Sequence, residues 1–205
     1  MGVIGKFTKE KLIVGVLISK ELLSPVGALK NNKNGPRRRA DNFSKESLLL
    51  KVLEILERHF GPIDYQSRTI EFNFTDYYTE EMGSDIKRMF LSFGKLVTPE
   101  SLADIKIKTN DIEGLFAERG KRRVNLDPGL LNTVRLILAS TKNAPHRIPL
   151  RGGIYAEITL LYQNGEFIPL KWTYPDYRSE SYREILEEVR EIYKGQLKQE
   201  REKAR

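Results

Sequence analysis

The sequence has no cysteine, and it has only two histidines and one tryptophan. Without cysteine the chain forms no disulfide, Cys-ligated zinc site or iron–sulfur cluster, and it performs no thiol catalysis. Two histidines cannot hold zinc unless carboxylates complete the site. The composition is also poor in methionine and rich in lysine, arginine and glutamate, which favours a heat-adapted (thermophile) source.

Long hydrophobic runs are absent as well. A membrane helix needs roughly 18 to 20 consecutive apolar residues, whereas the longest apolar stretch, LIVGVLI at 12–18, has the length of a strand and continues into Ser19, Lys20 and Glu21. No small-residue cleavage pattern follows it, so a signal peptide is not indicated either. We therefore predict a cytoplasmic protein with no membrane partner.

Three common catalytic motifs are missing too. The chain has no G-x-x-x-x-G-K-[ST] phosphate loop, no G-x-G-x-x-G after a strand and no G-x-S-x-G nucleophile elbow. The nearest approach to a phosphate loop, GVIGKFT at 2–8, has the wrong spacing and precedes the first predicted strand. Any phosphate-binding site must therefore be built in another way.

The chain of 205 residues is 40% hydrophobic and 31% charged, which suits one domain with a full core. We predict a single domain at 1–195 with a basic flexible loop at about 28–44, followed by a polar, frayed tail at 196–205. Of the net charge of +7, most lies between residues 30 and 45, where six basic residues oppose Asp41. Arg37, Arg38 and Arg39 within this loop are the candidate contacts for RNA.

The hydrophobic pattern predicts an α+β fold with a mostly antiparallel sheet and flanking helices. Strands are predicted at 12–18, 68–75, 87–97, 122–126, 134–140, 154–162 and 167–173, the last two joined by the hairpin signal Asn164-Gly165. Helices are predicted from an N-cap at Ser44 to Gly61, from Asp127-Pro128-Gly129, and from Ser181. Residues 102–119 are compatible with one helix or with a strand and a helix, and we favour a short helix, a strand and a second helix. The order of strands and helices in the N-terminal part of the chain predicts a split βαβ (ferredoxin-like) unit.

The connector ASTKNAPHR at 139–147 is the first candidate site. A lysine and an arginine beside hydroxyls and backbone N–H groups are suited to an anion. The predicted anion contacts are Lys142, Asn143 and Arg147, with Arg123 on the strand 122–126 and with His146 as a candidate catalytic group. The alternative interpretation is a solvated hairpin loop.

The second candidate site is the segment DYYTEEMG at 76–83. Asp76 and Glu80 are close enough in sequence to hold Mg²⁺, and Asp76 could also serve as a general acid or base. The alternative is that Asp76 caps a helical turn. Glu157 lies in the middle of a predicted strand, where a carboxylate is either exposed or paired, and we predict an ion pair with Arg123 or Arg147 that supports the site; Glu157 is also a catalytic candidate.

Five separated motifs resemble the domain-of-unknown-function family 4416, a prokaryotic family, over roughly residues 10–195. They are FTDYYTEEMG, RRVNLDPGLL, ASTKNAPHRIPL, GIYAEITLLY and WTYPDY. The resemblance implies no activity. From the residues themselves we predict a protein that binds a phosphorylated small molecule or nucleotide, with an enzyme using carboxylate-held Mg²⁺ as one form of it. The alternatives are an RNA-binding protein that uses the basic loop and a non-catalytic protein-interaction module.

Overall fold

The computed structural model describes residues 2–23 and 47–203. The predicted RNA contacts Arg37, Arg38 and Arg39, the loop 28–44 and the predicted N-cap Ser44 lie outside the described residues. In the described part, helices span Leu48–Phe60 (α1), Thr79–Met82 (α2), Leu102–Leu115 (α3) and Glu180–Lys203 (α4). Strands span Lys11–Ser19 (β1), Ile63–Gln66 (β2), Ile70–Glu71 (β3), Ile86–Phe93 (β4), Val124–Leu131 (β5), Arg135–Ser140 (β6), Ile148–Pro149 (β7), Tyr155–Gln163 (β8) and Glu166–Pro169 (β9).

The nine strands form one sheet, and each pairing among the described residues is antiparallel. The main order is β2-β4-β1-β5-β6-β8-β7, with β3 beside β4 and β9 beside β8. Strand β4 lies between β1 and β2 and is antiparallel to both, so β1 and β2 run parallel with α1 connecting them. This is the split βαβ arrangement, and with α3 and β5 it gives the strand order of a ferredoxin-like unit. The predicted α+β fold is confirmed.

Both faces of the sheet are covered at β1, which explains why this strand is buried along nearly all of its length. Leu12, Val14 and Val16 pack in one core cluster with residues of α1 and α3. Ile13 packs in a second cluster with Tyr182, Ile185, Leu186 and Val189 of α4. Successive side chains of a strand point to opposite faces, so the uninterrupted apolar run LIVGVLI is what a strand buried on both faces requires.

Strand β5 corrects one prediction. Asp127-Pro128-Gly129 does not begin a helix, because β5 continues through these residues to Leu131 and pairs with β1 along its length. On its other side, β5 pairs with β6 only from Gly129 to Leu131. A Cβ atom at Gly129 would lie 2.5 Å from the Ile137 carbonyl oxygen, so glycine is needed where the two strands approach. N-terminal to that point the strands diverge and leave a gap.

Two further stretches differ from their predicted structure. Residues 102–115 form one helix, not a strand and a helix. The alternation of Ile105 and Ile107 with polar residues resembles a strand pattern. In the helix, however, Ile105 and Ile112 pack in the same buried cluster, whereas Ile107 remains partly exposed. The strand predicted at 68–75 is reduced to Ile70–Glu71, and Ile63–Gln66, which was not predicted, provides the edge of the sheet.

The ends of two helices also differ from their predicted positions. Helix α1 begins at Leu48, where the Ser47 hydroxyl accepts a hydrogen bond from the Leu50 amide, so the N-cap is Ser47 instead of Ser44. Helix α4 passes through Gly195 and continues to Lys203, beyond the predicted boundary at 195. Gln196 anchors this extension, because its Nε2 donates to the Gly94 carbonyl at 2.9 Å. The hairpin at Asn164-Gly165 is confirmed, with positive φ at both residues.

Among the described residues, none of the helices combines the length and the apolar composition that crossing a membrane would take.

Candidate functional site

A cavity of about 690 Å³ lies where β5 and β6 diverge. Its floor is formed by five charged side chains from four parts of the chain: Arg88 of β4, Lys106 and Glu113 of α3, Asp127 of β5, and Asp176 before α4. Its mouth is formed by the more exposed residues Thr75, Tyr77, Lys142 and Tyr174. Other residues of the lining are Phe72, Phe74, Tyr78, Asn110, Arg122, Asn125, Ser140, Thr141, Arg147, Glu157 and Tyr177.

Arg88 is the most deeply buried charge of the floor, with 3% of its side chain exposed. Its Nη1 donates to Asp127 Oδ2 at 3.0 Å, and its Nη2 lies 3.4 Å from Asp176 Oδ2. A Cβ atom at Gly15 of β1 would come within 2.8 Å of Arg88 Nη1 and 3.2 Å of the Tyr177 hydroxyl. The glycine in LIVGVLI therefore leaves the space that the guanidinium group occupies. The side-chain amide of Asn125 donates a further hydrogen bond to Asp127 Oδ2 at 2.9 Å.

Lys106 and Glu113 replace the strand that is missing beside β5. The Lys106 ammonium donates to the Leu126 carbonyl at 2.8 Å, and Glu113 Oε1 accepts from the Leu126 amide at 2.7 Å. Buried backbone groups must be satisfied, and here two side chains of α3 do so where β6 has turned away. Lys106 Nζ also lies 3.9 Å from Glu113 Oε1 and 4.0 Å from Asp127 Oδ1. One lysine thus stands between two carboxylates.

The carboxylates of the floor differ in protonation. Burial raises the pKa of Glu113 to about 7, against the opposing effects of Lys106 and the Leu126 amide. Burial also acts on Asp127, but Arg88, Lys106 and the hydrogen bonds that Asp127 accepts hold its pKa below its ordinary value. Burial raises the pKa of Asp176 despite the neighbouring Arg88. Near pH 7 the floor therefore combines a firmly ionised Asp127 with a Glu113 that gains or loses a proton.

The predicted connector 139–147 forms one side of the cavity, and Arg147 fixes its shape. Arg147 Nη1 donates to Ser140 Oγ at 2.9 Å and to the Lys142 carbonyl at 2.7 Å. Its Nη2 donates to the Tyr174 hydroxyl at 2.8 Å, and its Nε donates to Glu157 Oε2 at 2.8 Å. Only 5% of the side chain is exposed, and most of its donors are used within the protein. Arg147 thus positions the mouth and has little capacity left for an anion.

Glu157 is buried, with 2% of its side chain exposed, and its partner is Arg147, one of the two arginines predicted for it. His146 Nε2 lies 3.0 Å from the same oxygen, Oε2, and its ring stacks on Trp172 at 5.1 Å between centroids. The other oxygen, Oε1, is buried without a hydrogen-bond partner among the described residues, as are Arg88 Nε and the Tyr177 hydroxyl. Three residues that line one cavity thus leave polar atoms unpaired, which is costly unless something else satisfies them.

Lys142 is the exposed cation at the mouth. Its Nζ lies 4.2 Å from the centre of the Tyr77 ring, in the geometry of a cation–π contact across the entrance. In the described residues it takes part in no ion pair. Three hydroxyl-bearing residues, Ser140, Thr141 and Thr75, also line the cavity.

The remaining predicted site residues lie outside this cavity. Asn143 is exposed on the connector, and Arg123 pairs with Glu118 at 3.3 Å. Asp76 and Glu80 are exposed at the start of α2, where the Asp76 carbonyl accepts from the Thr79 amide. No group of three or more His, Asp or Glu side chains that could hold a metal ion is present in the ranges 2–23 and 47–203. Of the predicted residues, the structure brings together Lys142, Arg147, Glu157 and, through Glu157, His146.

The floor was missed by the sequence reasoning, although two signals were present. Strand β4 reads IKRMFLSF, and two cations in a strand that is buried along its whole length mark a position where charge must be paired. Lys106 and Glu113 are seven residues apart, so they share one helical face with the buried Ala103 and Thr109 close by. Neither signal names the partner residues, which lie far away in the sequence.

Comparison with protein-family models matched residues 41–193 to the family described as "Domain of unknown function (DUF4416)". The match covers more than half of the chain, and the chain belongs to this family. It begins after β1, later than the resemblance at residues 10–195 suggested. Neither the comparison with curated proteins nor the comparison with solved structures gave a significant match.

Proposed function

We propose that this member of the DUF4416 family binds a nucleotide or another phosphorylated small molecule, with the phosphate at the mouth of the cavity and the uncharged part of the ligand toward the floor. The observation that carries the proposal is the division of the cavity's charges: the floor neutralises itself, whereas the mouth carries Lys142 with no carboxylate partner among the described residues.

The size of the cavity supports a ligand of this class. Small-molecule sites commonly enclose about 300–1,000 Å³, and this cavity of about 690 Å³ lies within that range. Six aromatic residues line it, and they provide apolar surface for a ring: Phe72, Phe74, Tyr77, Tyr78, Tyr174 and Tyr177. The polar groups converge between these rings, as they do in sites that fix a ligand's orientation.

The floor of the cavity is better suited to a neutral group that forms hydrogen bonds than to a phosphate. Arg88 and Lys106 are already faced by the carboxylates of Asp127 and Asp176, and Glu113 adds a third. A phosphate placed there would meet carboxylate charge in a buried, low-dielectric place, where repulsion is strong. A neutral group with both donors and acceptors, such as a base or a sugar, matches the floor better.

The mouth has the complementary chemistry. Lys142 offers a compact positive charge, and Ser140 and Thr141 offer hydroxyl groups beside it. Arg147 holds this segment in place through the Ser140 hydroxyl and the Lys142 carbonyl. A pre-arranged mouth lowers the entropy cost of binding.

The test is a thermal-shift screen of nucleotides, sugar phosphates and the corresponding unphosphorylated compounds, with and without Mg²⁺. A ligand at 100 times its Kd adds about 2.7 kcal/mol of apparent stability, so a matching compound raises the Tm by several degrees. We expect the phosphorylated compounds to act and their unphosphorylated counterparts to act far less.

Lys142→Ala should weaken binding about tenfold, since it removes one charged hydrogen-bond donor from the phosphate. The matched control is Lys51→Ala, an exposed lysine of α1 outside the cavity lining. Equal shifts for phosphorylated and unphosphorylated compounds, or equal affinity of the Lys142→Ala and Lys51→Ala variants, would contradict the proposal. Short RNA belongs in the same screen because the RNA prediction for Arg37, Arg38 and Arg39 stays open.

A further inference from the structure

We propose that Glu113 is the proton-exchanging group of the cavity and that it meets the bound ligand as a neutral carboxylic acid, donating a hydrogen bond from Oε2. This inference rests on the proposed function, because it requires a ligand in the cavity. It goes further in stating what the floor does when the ligand arrives: a Glu113 carboxylate that is still ionised takes up a proton from solvent.

The geometry selects Glu113 among the carboxylates of the floor. Asp127 Oδ2 already accepts from Arg88 and Asn125, and its Oδ1 faces Lys106. Glu113 uses Oε1 to accept from the Leu126 amide at 2.7 Å, and no hydrogen bond to its Oε2 occurs within the described residues. Glu113 therefore has one oxygen fixed by the fold and one oxygen available at the cavity lining.

The charges that face Glu113 come from three parts of the structure. Lys106 lies on its own helix, Asp127 lies on β5, and Arg122 lies just before β5, while the Leu126 amide donates from the strand itself. Burial raises the pKa of Glu113 to about 7 in spite of the two cations. A ligand that displaces water from the floor adds to this burial, so it favours the neutral acid further.

The cavity also offers polar atoms with which a ligand can form hydrogen bonds. Arg88 Nε, Glu157 Oε1 and the Tyr177 hydroxyl are buried without partners in the described structure, and all three residues line the same cavity as Glu113. Together with Glu113 Oε2, these atoms are available for hydrogen bonds with a group bound in the cavity.

Two consequences can be measured. A group that titrates at about pH 7 is half protonated there, so binding at pH 7 should take up about half a proton. Above pH 7 Glu113 must be protonated before the ligand binds, and the affinity should fall about tenfold for each pH unit until the pKa of the bound state is reached.

The experiment is isothermal titration calorimetry at pH 7 with AMP, GMP, CMP and UMP as probes, each in two buffers that differ in ionisation enthalpy. The difference in heat between the buffers gives the number of protons taken up. The variants are Glu113→Gln, whose amide oxygen still accepts from the Leu126 amide, and Glu118→Gln as the matched control, an exposed carboxylate that pairs with Arg123 outside the cavity.

We expect Glu113→Gln to bind the probe while its proton uptake falls by about half a proton relative to the wild type. The phosphate of the probe also exchanges protons near pH 6, but it does so equally in both proteins, and the difference isolates Glu113. Glu118→Gln should match the wild type. If Glu113→Gln does not fold, the wild-type affinity between pH 7 and 9 decides, since a flat profile contradicts the proposal.

The outcomes separate the two proposals. Binding of a nucleotide with equal proton uptake in the wild type and in Glu113→Gln overturns this inference and leaves the proposed function standing. Failure of the wild type to bind any of the four probes, with no shift from the sugar phosphates, overturns the proposed function and this inference together.

Discussion

Two buried lysines, Lys11 of β1 and Lys106 of α3, have opposite surroundings. Lys11 Nζ pairs with Asp64 and also donates to the Phe93 carbonyl and to Gln196 Oε1, both at 2.9 Å. Lys106 Nζ makes one hydrogen bond in the described structure, to the Leu126 carbonyl, and faces two carboxylates at 3.9 and 4.0 Å. An ammonium group has three donors, so the first lysine uses all of them and the second does not.

The difference distinguishes a charge that joins parts of the fold from a charge that lines the cavity. The acceptors of Lys11 tie together β1, β4, the start of β2 and the end of α4, and the lysine does not line the 690 Å³ cavity. Lys106 lines the cavity together with Glu113 and Asp127, the two carboxylates that it faces, and unpaired donors and acceptors belong to other residues of the same lining. We infer that Lys11 holds parts of the fold together, and that Lys106 has donors available to a ligand in the cavity.

Lys11→Met should produce the largest loss of stability. The change leaves Asp64 and the Phe93 carbonyl without their cation, and removing one partner of a buried pair costs about 3 kcal/mol or more. Urea unfolding should show this loss in the free energy of unfolding, while nucleotide binding to the folded variant should be unchanged. A loss below about 1 kcal/mol would mean that the Lys11 cluster, which is Lys11 with Asp64, Phe93 and Gln196, does not stabilise the fold.

Glu113→Gln should change how stability depends on pH. In the wild type the folded-state pKa of about 7 lies above the ordinary value of 4.5, so the folded protein binds more protons than the unfolded chain between these values. Stability should therefore fall as the pH rises from about 4.5 to 7 and then level off, by about 3 kcal/mol from this group. Unfolding measured at pH 5 and pH 8 should show a smaller decline in Glu113→Gln, and Glu118→Gln should decline like the wild type.

Lys106→Met should cost less than Lys11→Met. The Leu126 carbonyl loses a hydrogen bond, but water in the cavity can replace the missing donor, so we expect a loss of about 1–2 kcal/mol. Ligand binding should suffer more than stability because the charge balance of the floor is altered. Denaturant unfolding of the two variants side by side tests which one loses more stability. A larger loss in Lys106→Met than in Lys11→Met would mean that Lys106, and not Lys11, is the lysine that holds the fold together.

Lys142→Ala should have the smallest effect on stability, within about 0.5 kcal/mol, since the side chain is exposed and its loss removes only a contact across the mouth. The Tm of the ligand-free variant should stay close to that of the wild type while its affinity for nucleotides falls. A large drop in the Tm would show that the Lys142–Tyr77 contact holds the fold, and the mouth would then belong with the Lys11 cluster.

Much of the fold could be predicted because several elements carry their signals locally. The run LIVGVLI, the Asn164-Gly165 turn and the apolar stripe of α4 each depend on neighbours within a few residues. Strand β5 was missed beyond Leu126 because Asp127-Pro128-Gly129 has the composition of a helix start. Pairing with β1 on one side and the close approach of Ile137 to Gly129 on the other outweigh that local preference.

The cavity-lining residues that the sequence indicated are those that lie close together in the sequence. The connector 139–147 and its pairing with Glu157 span fewer than twenty residues, and Lys142 and Arg147 were found there. The floor depends on Arg88 meeting Asp127 and Asp176, which are 39 and 88 residues away. Such pairings are set by the order of strands in the sheet, and no periodicity within a single element encodes them.

The stacked pair His146 and Trp172 gives the molecule a built-in optical reporter. Trp172 is the single tryptophan of the chain, its indole donates to the Ile158 carbonyl at 2.9 Å, and its ring lies within 11° of parallel to the imidazole. Through Glu157 this imidazole is joined to Arg147, which in turn holds the Tyr174 hydroxyl at the cavity mouth. A rearrangement of the mouth would therefore change the emission of one identified fluorophore, so the unmodified protein can report on it without an attached dye.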